Sequence, residues 1–167
     1  TTYKSLSGTS VSWDFVELPS QVLENWCYEE EALALFAKHY ETGEAIPMEY
    51  VAKIKKSANF HEGMQTLRQL SFGLLDMNWH GHQNPESIED VKAFETQAFS
   101  STQLYPSVAE NCMSTAFSHI FQGGYSAGYY SYKWAEVLDA DAFEYFKEVG
   151  IFNREVATKF KDNVLSK

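Results

Sequence analysis

The sequence predicts an all-α, mainly helical chain, and three observations predict it. Apolar residues recur at helical spacing over most of the length. No segment sustains the period-two alternation of a half-buried strand. The punctuation between periodic stretches is that of helix ends and loops: TGEAIP, HGHQNPES, FQGG. The one strand expected is short, near Lys4–Val11.

The elements follow in order. Residues 14–26 place Phe15, Leu18, Val22 and Trp26 on one stripe. Residues 29–40 carry Leu33, Phe36 and Tyr40 before Gly43 and Pro47 interrupt. Met48 to Asn59 reads as a shorter helix with a Lys-rich outer face. Residues 60–79 are the clearest helix, with Phe60, Met64, Leu67, Leu70, Leu74 and Met77 as the inward stripe. Ser87 is expected to cap a helix to about Phe99, with Asp90 as its capping-box partner. Residues 100–113 read as irregular. Tyr125 to about Lys147 reads as helix despite Gly128. Asn153 is expected to cap a last helix through Leu165, with Val156, Phe160 and Val164 inward.

The 167 residues suffice for one domain of ordinary size. Aromatics at 16% argue against disorder. Thirteen basic against 23 acidic side chains give a net charge of −10, which repels phosphate backbones and argues against a nucleic-acid partner. No apolar run reaches the roughly 18 residues a membrane span needs. The polar start, TTYKSLSGTS, has no apolar core of a secretory signal. Cys27 and Cys112 make no disulfide framework and are expected as reduced thiols, in keeping with a cytoplasmic location.

Two segments carry candidate chemistry. Asp14, Glu17, Gln21 and Glu24 stand at i, i+3, i+7 and i+10, one face of a continuous helix. Carboxylates held on a helix suit a metal such as Zn²⁺. From spacing alone they better suit a first turn in which Asp14 caps, Glu17 completes a capping box and the rest is a wetted face. Pro19 bears on both readings, because it removes a backbone donor unless the helix starts at Leu18. The second segment is FSHIFQGGYSAGYYSYKW, residues 117–134. Tyr125, Tyr129 and Tyr132 fall at i, i+4 and i+7, behind Gly123 and Gly124 and six residues after His119. Phenols and an imidazole on one cleft would stabilise an oxyanion; the same pattern also describes an aromatic core helix whose hydroxyls reach the surface. Of the other histidines, His39 and His61 are expected on surface faces. His80 and His82, two apart at a helix end, make a weaker HxH metal candidate.

GTSVSWDFVELPSQVLENW and FSHIFQGGYSAGYYSYKWAEVLDADAF resemble two segments of the thimet oligopeptidase (M3) family of zinc metallopeptidases. HYETGEAIP and DMNWH are similar to the same family, so the resemblance runs from about Leu6 to the last residue. The oligopeptidase A and peptidyl-dipeptidase branch is the nearest in likeness. The resemblance implies a largely helical catalytic lobe, of which residues 1–167 would be a C-terminal part. It implies Glu17 as third zinc ligand, Tyr125 and Tyr132 as substrate-binding and transition-state-stabilising phenols, and His119 as a contact near the scissile carbonyl. Tyr129, Gly123 and Gly124 would belong to the same substrate loop. Separately from the resemblance, the shared stripe of Asp14, Gln21 and Glu24 with Glu17 makes these three candidates to accept hydrogen bonds from metal-bound histidines. The HExxH motif expected shortly before Glu17 is absent from the 16 residues that precede it. The chain is therefore expected to be a fragment that is inactive alone, from a parent that hydrolyses peptide bonds in short oligopeptides. A non-enzymatic helical interaction module is the alternative, and it leaves both matched segments unexplained.

Overall fold

The computed structural model describes residues 1–166; Lys167 lies outside them. Among the described residues seven α-helices follow one another: α1 (Leu18–Glu24), α2 (Glu30–Phe36), α3 (Met48–Ala58), α4 (Glu62–Gly81), α5 (Val91–Phe99), α6 (Ser131–Val149) and α7 (Arg154–Phe160). A π turn, Lys161–Leu165, follows α7. The all-α expectation holds. Among the described residues no strand forms; the segment expected as one carries a 3-10 turn, Lys4–Leu6, and the single Lys38–Ala45 bridge lies elsewhere. None of the described helices is long and apolar enough to cross a membrane.

The chain forms two compact units. The first comprises Thr1–Phe60 and the residues from Trp134 on. Its core packs Ala32, Phe143, Phe146, Ile151 and Val156, with Trp26 and Phe160 against them. Trp26 meets Phe143 and Phe146 edge-on at 4.8 and 4.9 Å. Its indole N–H donates to the Ile151 carbonyl at 3.1 Å, so a large, partly buried ring packs on the core without orphaning its polar atom. Asn153 caps α7 as expected, its side chain accepting from the Glu155 and Val156 amides.

The second unit, His61–Lys133, is built around Phe72, Leu75, Ala98, Phe117 and Ile120. Here the inward face of α4 differs from the expected stripe. Phe72, Leu75 and Asp76 are buried, whereas Met64, Leu70, Leu74 and Met77 are exposed. The helix is apolar on two faces, and the face with Phe72 and Trp79 packs because those rings meet Phe117 and Phe94 at 5.1 and 4.4 Å. Aromatic area outweighs the aliphatic stripe. The cap of α5 also differs: the Asp90 side chain accepts from the Ala93 amide, so the helix starts at Val91 and Asp90, not Ser87, is its cap.

Candidate functional site

The acidic segment belongs to the first unit. Its expected single helical face does not form. Residues 13–17 are turns, and α1 starts only at Leu18, with Glu17 at the N-cap position and Pro19 in the first turn. Pro19 lacks the N–H that a helix interior needs but is welcome in a first turn, which sets the boundary. Asp14 thus comes from a turn, while Gln21 and Glu24 come from the helix. They line different clefts: Asp14 one of about 430 Å³ with Leu6, Val11 and Trp134, Gln21 and Glu24 one of about 200 Å³ with Glu136 and Asp139. Glu17 is half-buried; the Ser20 hydroxyl donates to its backbone carbonyl at 2.9 Å and reaches a carboxylate oxygen at 3.5 Å.

Beside Glu24 the structure adds Asp139, which sequence reasoning did not single out. Asn25 Nδ2 donates to its carboxylate at 3.3 Å. Burial raises the Asp139 pKa, the Asn25 bond opposes this, and the charges of Glu136 and Glu24 raise it further.

The phenols and His119 belong to the second unit. Residues 126–130 are turns, and α6 starts at Ser131, so Tyr125, Tyr129 and Tyr132 do not line one helix. They nevertheless converge. Tyr125 stacks on Tyr132 at 5.2 Å with 12° between ring planes, and Tyr129 stands 5.0 Å from Tyr132. The His119 ring, on the exposed side, is 5.4 Å from Tyr125 and 6.4 Å from Tyr129. Gly123 and Gly124 adopt φ of 89° and 90°, which L side chains rarely adopt, and so turn the chain from the His119 segment into the phenol loop. Tyr129 packs on Phe117 at 5.0 Å and Phe72 at 5.8 Å. Burial and the neighbouring Tyr132 raise its phenol pKa; Arg68 opposes this. Tyr129 is therefore a neutral hydrogen-bond donor at pH 7.

Two carboxylates hold this arrangement, and neither was singled out from sequence. Asp76 on α4 is completely buried. Its Oδ1 accepts from the Ala127 amide at 2.8 Å, and its Oδ2 from the Tyr129 amide at 2.9 Å. His80 Nδ1 lies 2.8 Å from Oδ1. Glu95 on α5 accepts from the Met113 amide at 2.9 Å, the Ser114 amide at 2.6 Å and the Ser114 hydroxyl at 2.8 Å, anchoring the segment that leads to Phe117 and His119. A signal was present. Asp76 stands four residues after Phe72 and three before Trp79, and Glu95 three before Ala98, so both acids lie within apolar stripes.

Glu95 yields a pH prediction. Burial pushes its pKa up, but the Met113 and Ser114 hydrogen bonds and Lys92 together outweigh this and lower it below 4.5. The stabilisation is complete above the unfolded-state value and is lost as pH falls through the lowered folded-state value. At pH 7, Glu95→Gln is expected to cost about 2 kcal/mol, the scale of hydrogen bonds to a charged group. Urea melts of both proteins should show the gap shrinking below about pH 4; a gap that widens in acid contradicts this.

Among the described residues no three His, Cys, Asp or Glu side chains are grouped to hold a metal ion, and this includes His80 and His82. His80 is instead engaged by Asp76, and the His82 Nδ1 accepts from the Asn84 amide.

Comparison with known proteins bears on the whole chain. The sequence profile described as Peptidase family M3 matches residues 1–167. Oligopeptidase A of Escherichia coli (strain K12) is 50% identical over 165 residues, covering 97% of this chain and 24% of that protein. Organellar oligopeptidase A, chloroplastic/mitochondrial, of Arabidopsis thaliana is 43% identical over 161 residues, 94% of this chain and 20% of that protein. Dipeptidyl carboxypeptidase of E. coli (strain K12) is 39% identical over 166 residues, 99% of this chain and 24% of that protein. The chain thus spans between a fifth and a quarter of the length of these relatives.

Proposed function

This chain belongs to peptidase family M3, and we propose that its parent hydrolyses peptide bonds in short oligopeptides with zinc, as a C-terminal part of whose catalytic domain residues 1–167 act. The observation that carries the proposal is the convergence of Tyr125, Tyr129, Tyr132 and His119 on a loop turned by two glycines of positive φ. The relatives named oligopeptidase and dipeptidyl carboxypeptidase support peptides as the substrate class. A cytoplasmic location belongs to the same proposal; Cys27 and Cys112 are free thiols, which suits a reducing compartment.

A catalytic zinc takes three protein ligands and keeps a fourth position open. The described residues do not complete such a set. Glu17 is proposed as one ligand, with the others coming from residues of the parent that this chain lacks. Asp14, Gln21 and Glu24 are proposed to orient those other ligands by hydrogen bonding from outside, the role such acceptors play at metal sites.

The work of the chain's own side chains toward a peptide is hydrogen bonding and positioning. Tyr125 and Tyr132 donate to the carbonyl oxygen of the scissile bond as negative charge develops there. His119 contacts the substrate beside that carbonyl. Tyr129, packed between Phe72 and Phe117, is the fixed member against which the other two phenols are set. Gly123 and Gly124 let the loop approach the peptide backbone closely and adjust on binding.

The test is metal removal. The full-length parent should cleave short peptides, lose that activity to a chelator and regain it with zinc. The isolated 167-residue chain should bind no zinc tightly and cleave nothing. About one zinc held per isolated chain, or a parent indifferent to chelation, contradicts the proposal.

A further inference from the structure

We propose that Asp76 is a positioning residue for the phenol cluster: its buried carboxylate holds the loop from Tyr125 to Ser131 in the register that stacks Tyr125 on Tyr132. The hydrogen bonds carry the argument. A completely buried carboxylate is costly unless it is fully hydrogen-bonded. Asp76 places one oxygen on the Ala127 amide and the other on the Tyr129 amide, the residues on either side of Gly128. It therefore bridges the middle of the loop.

The bridged turn is not one the loop favours by itself. Ala127 stands at φ 56°, a conformation that residues with a Cβ disfavour. The donor to Asp76 is the amide of this residue, so the bond offsets the strain where it arises. The Gly128 amide closes the turn onto the Tyr125 carbonyl at 2.8 Å, and the Ser131 amide reaches the Gly128 carbonyl at 3.1 Å. Fixing Ala127 and Tyr129 thus fixes the backbone that presents Tyr125 on one side and Tyr132 on the other.

His80 completes the device. It lies one helical turn along α4, with its Nδ1 2.8 Å from the same Oδ1 that accepts from Ala127. When Nδ1 carries the proton it donates to Asp76, and the carboxylate keeps its acceptor role toward the loop.

The kinetic consequence rests on the proposed peptidase reading; the loop geometry does not. In the full-length parent, Asp76→Asn keeps the shape of the side chain but replaces one acceptor by a donor. Hydrogen exchange over the Tyr125–Ser131 backbone should accelerate by about tenfold relative to the interior of α4, the behaviour of a locally released segment. The kcat should fall by about 10²-fold with KM changed far less, the scale reached when catalytic groups are misplaced by about 1 Å. Val156→Ala, a core truncation in the first unit, should lower the melting temperature and leave kcat in place. Unchanged exchange in folded Asp76→Asn overturns the proposal, and so does an unchanged kcat at a temperature where the variant is folded. Should Asp76→Asn fail to fold, wild-type exchange decides: amides of Ala127 and Tyr129 protected above those of Ser126 and Tyr130 support the bridge, and equal exchange overturns it. A wild-type parent without peptidase activity defeats the peptidase reading alone, and the exchange results still judge the bridge.

Discussion

In the full-length parent, Tyr132→Phe lowers kcat by about 10²–10³-fold, the scale for losing one donor to a developing oxyanion, while KM stays within a few-fold. The ring survives the substitution, so its stacking on Tyr125 at 5.2 Å and its contact with Tyr129 at 5.0 Å are retained. Only the hydroxyl is lost. A donor that acts more strongly on the transition state than on the bound peptide affects kcat, whereas uniform binding would appear in KM. Steady-state kinetics on a short peptide separates the two. An unchanged kcat removes Tyr132 from the role, and a raised KM alone makes it a peptide-binding group.

Glu17→Ala should affect the metal itself. With one of three protein ligands gone, zinc content of the purified parent falls from about one per chain toward none, and peptidase activity falls with it. Asp14→Ala and Glu24→Ala provide the graded comparison: loss of an outer hydrogen-bonding partner weakens metal affinity by about 10–100-fold, so these variants keep zinc at saturating metal. Metal analysis after dialysis against weak chelator ranks the three. Equal zinc retention in Glu17→Ala and wild type contradicts the ligand assignment.

The sequence announced helices better than it announced their inward faces and their ends. Periodicity identified α3 almost to the residue, because Met48–Ala58 is bracketed by Pro47 and Asn59. It identified α4 but chose the wrong face, since Leu70, Leu74 and Met77 match the helical spacing as well as Phe72, Leu75 and Trp79 do. Spacing alone does not weigh an aromatic ring against an aliphatic side chain. Asp14 failed as a helix cap because the Pro19 backbone suits a first turn, which put the start at Leu18.

The phenol cluster was legible in composition and illegible in mechanism. Three tyrosines at helical spacing do come together, yet through turns closed by Gly128 and bridged by Asp76, not along a helix. That bridge joins residues 51 and 53 positions apart in the chain, and local pattern carries no trace of such a pairing. What the sequence did offer was an acid within an apolar stripe, a position that makes sense only with hydrogen-bond donors aimed at it.

Anomalous diffraction at the zinc edge, on crystals of the full-length parent, tests the account most directly. It predicts one zinc with a Glu17 carboxylate oxygen about 2.0–2.2 Å away, the ordinary zinc–carboxylate distance. A zinc ion fully ligated by other side chains, with the Glu17 carboxylate outside bonding distance, would contradict it.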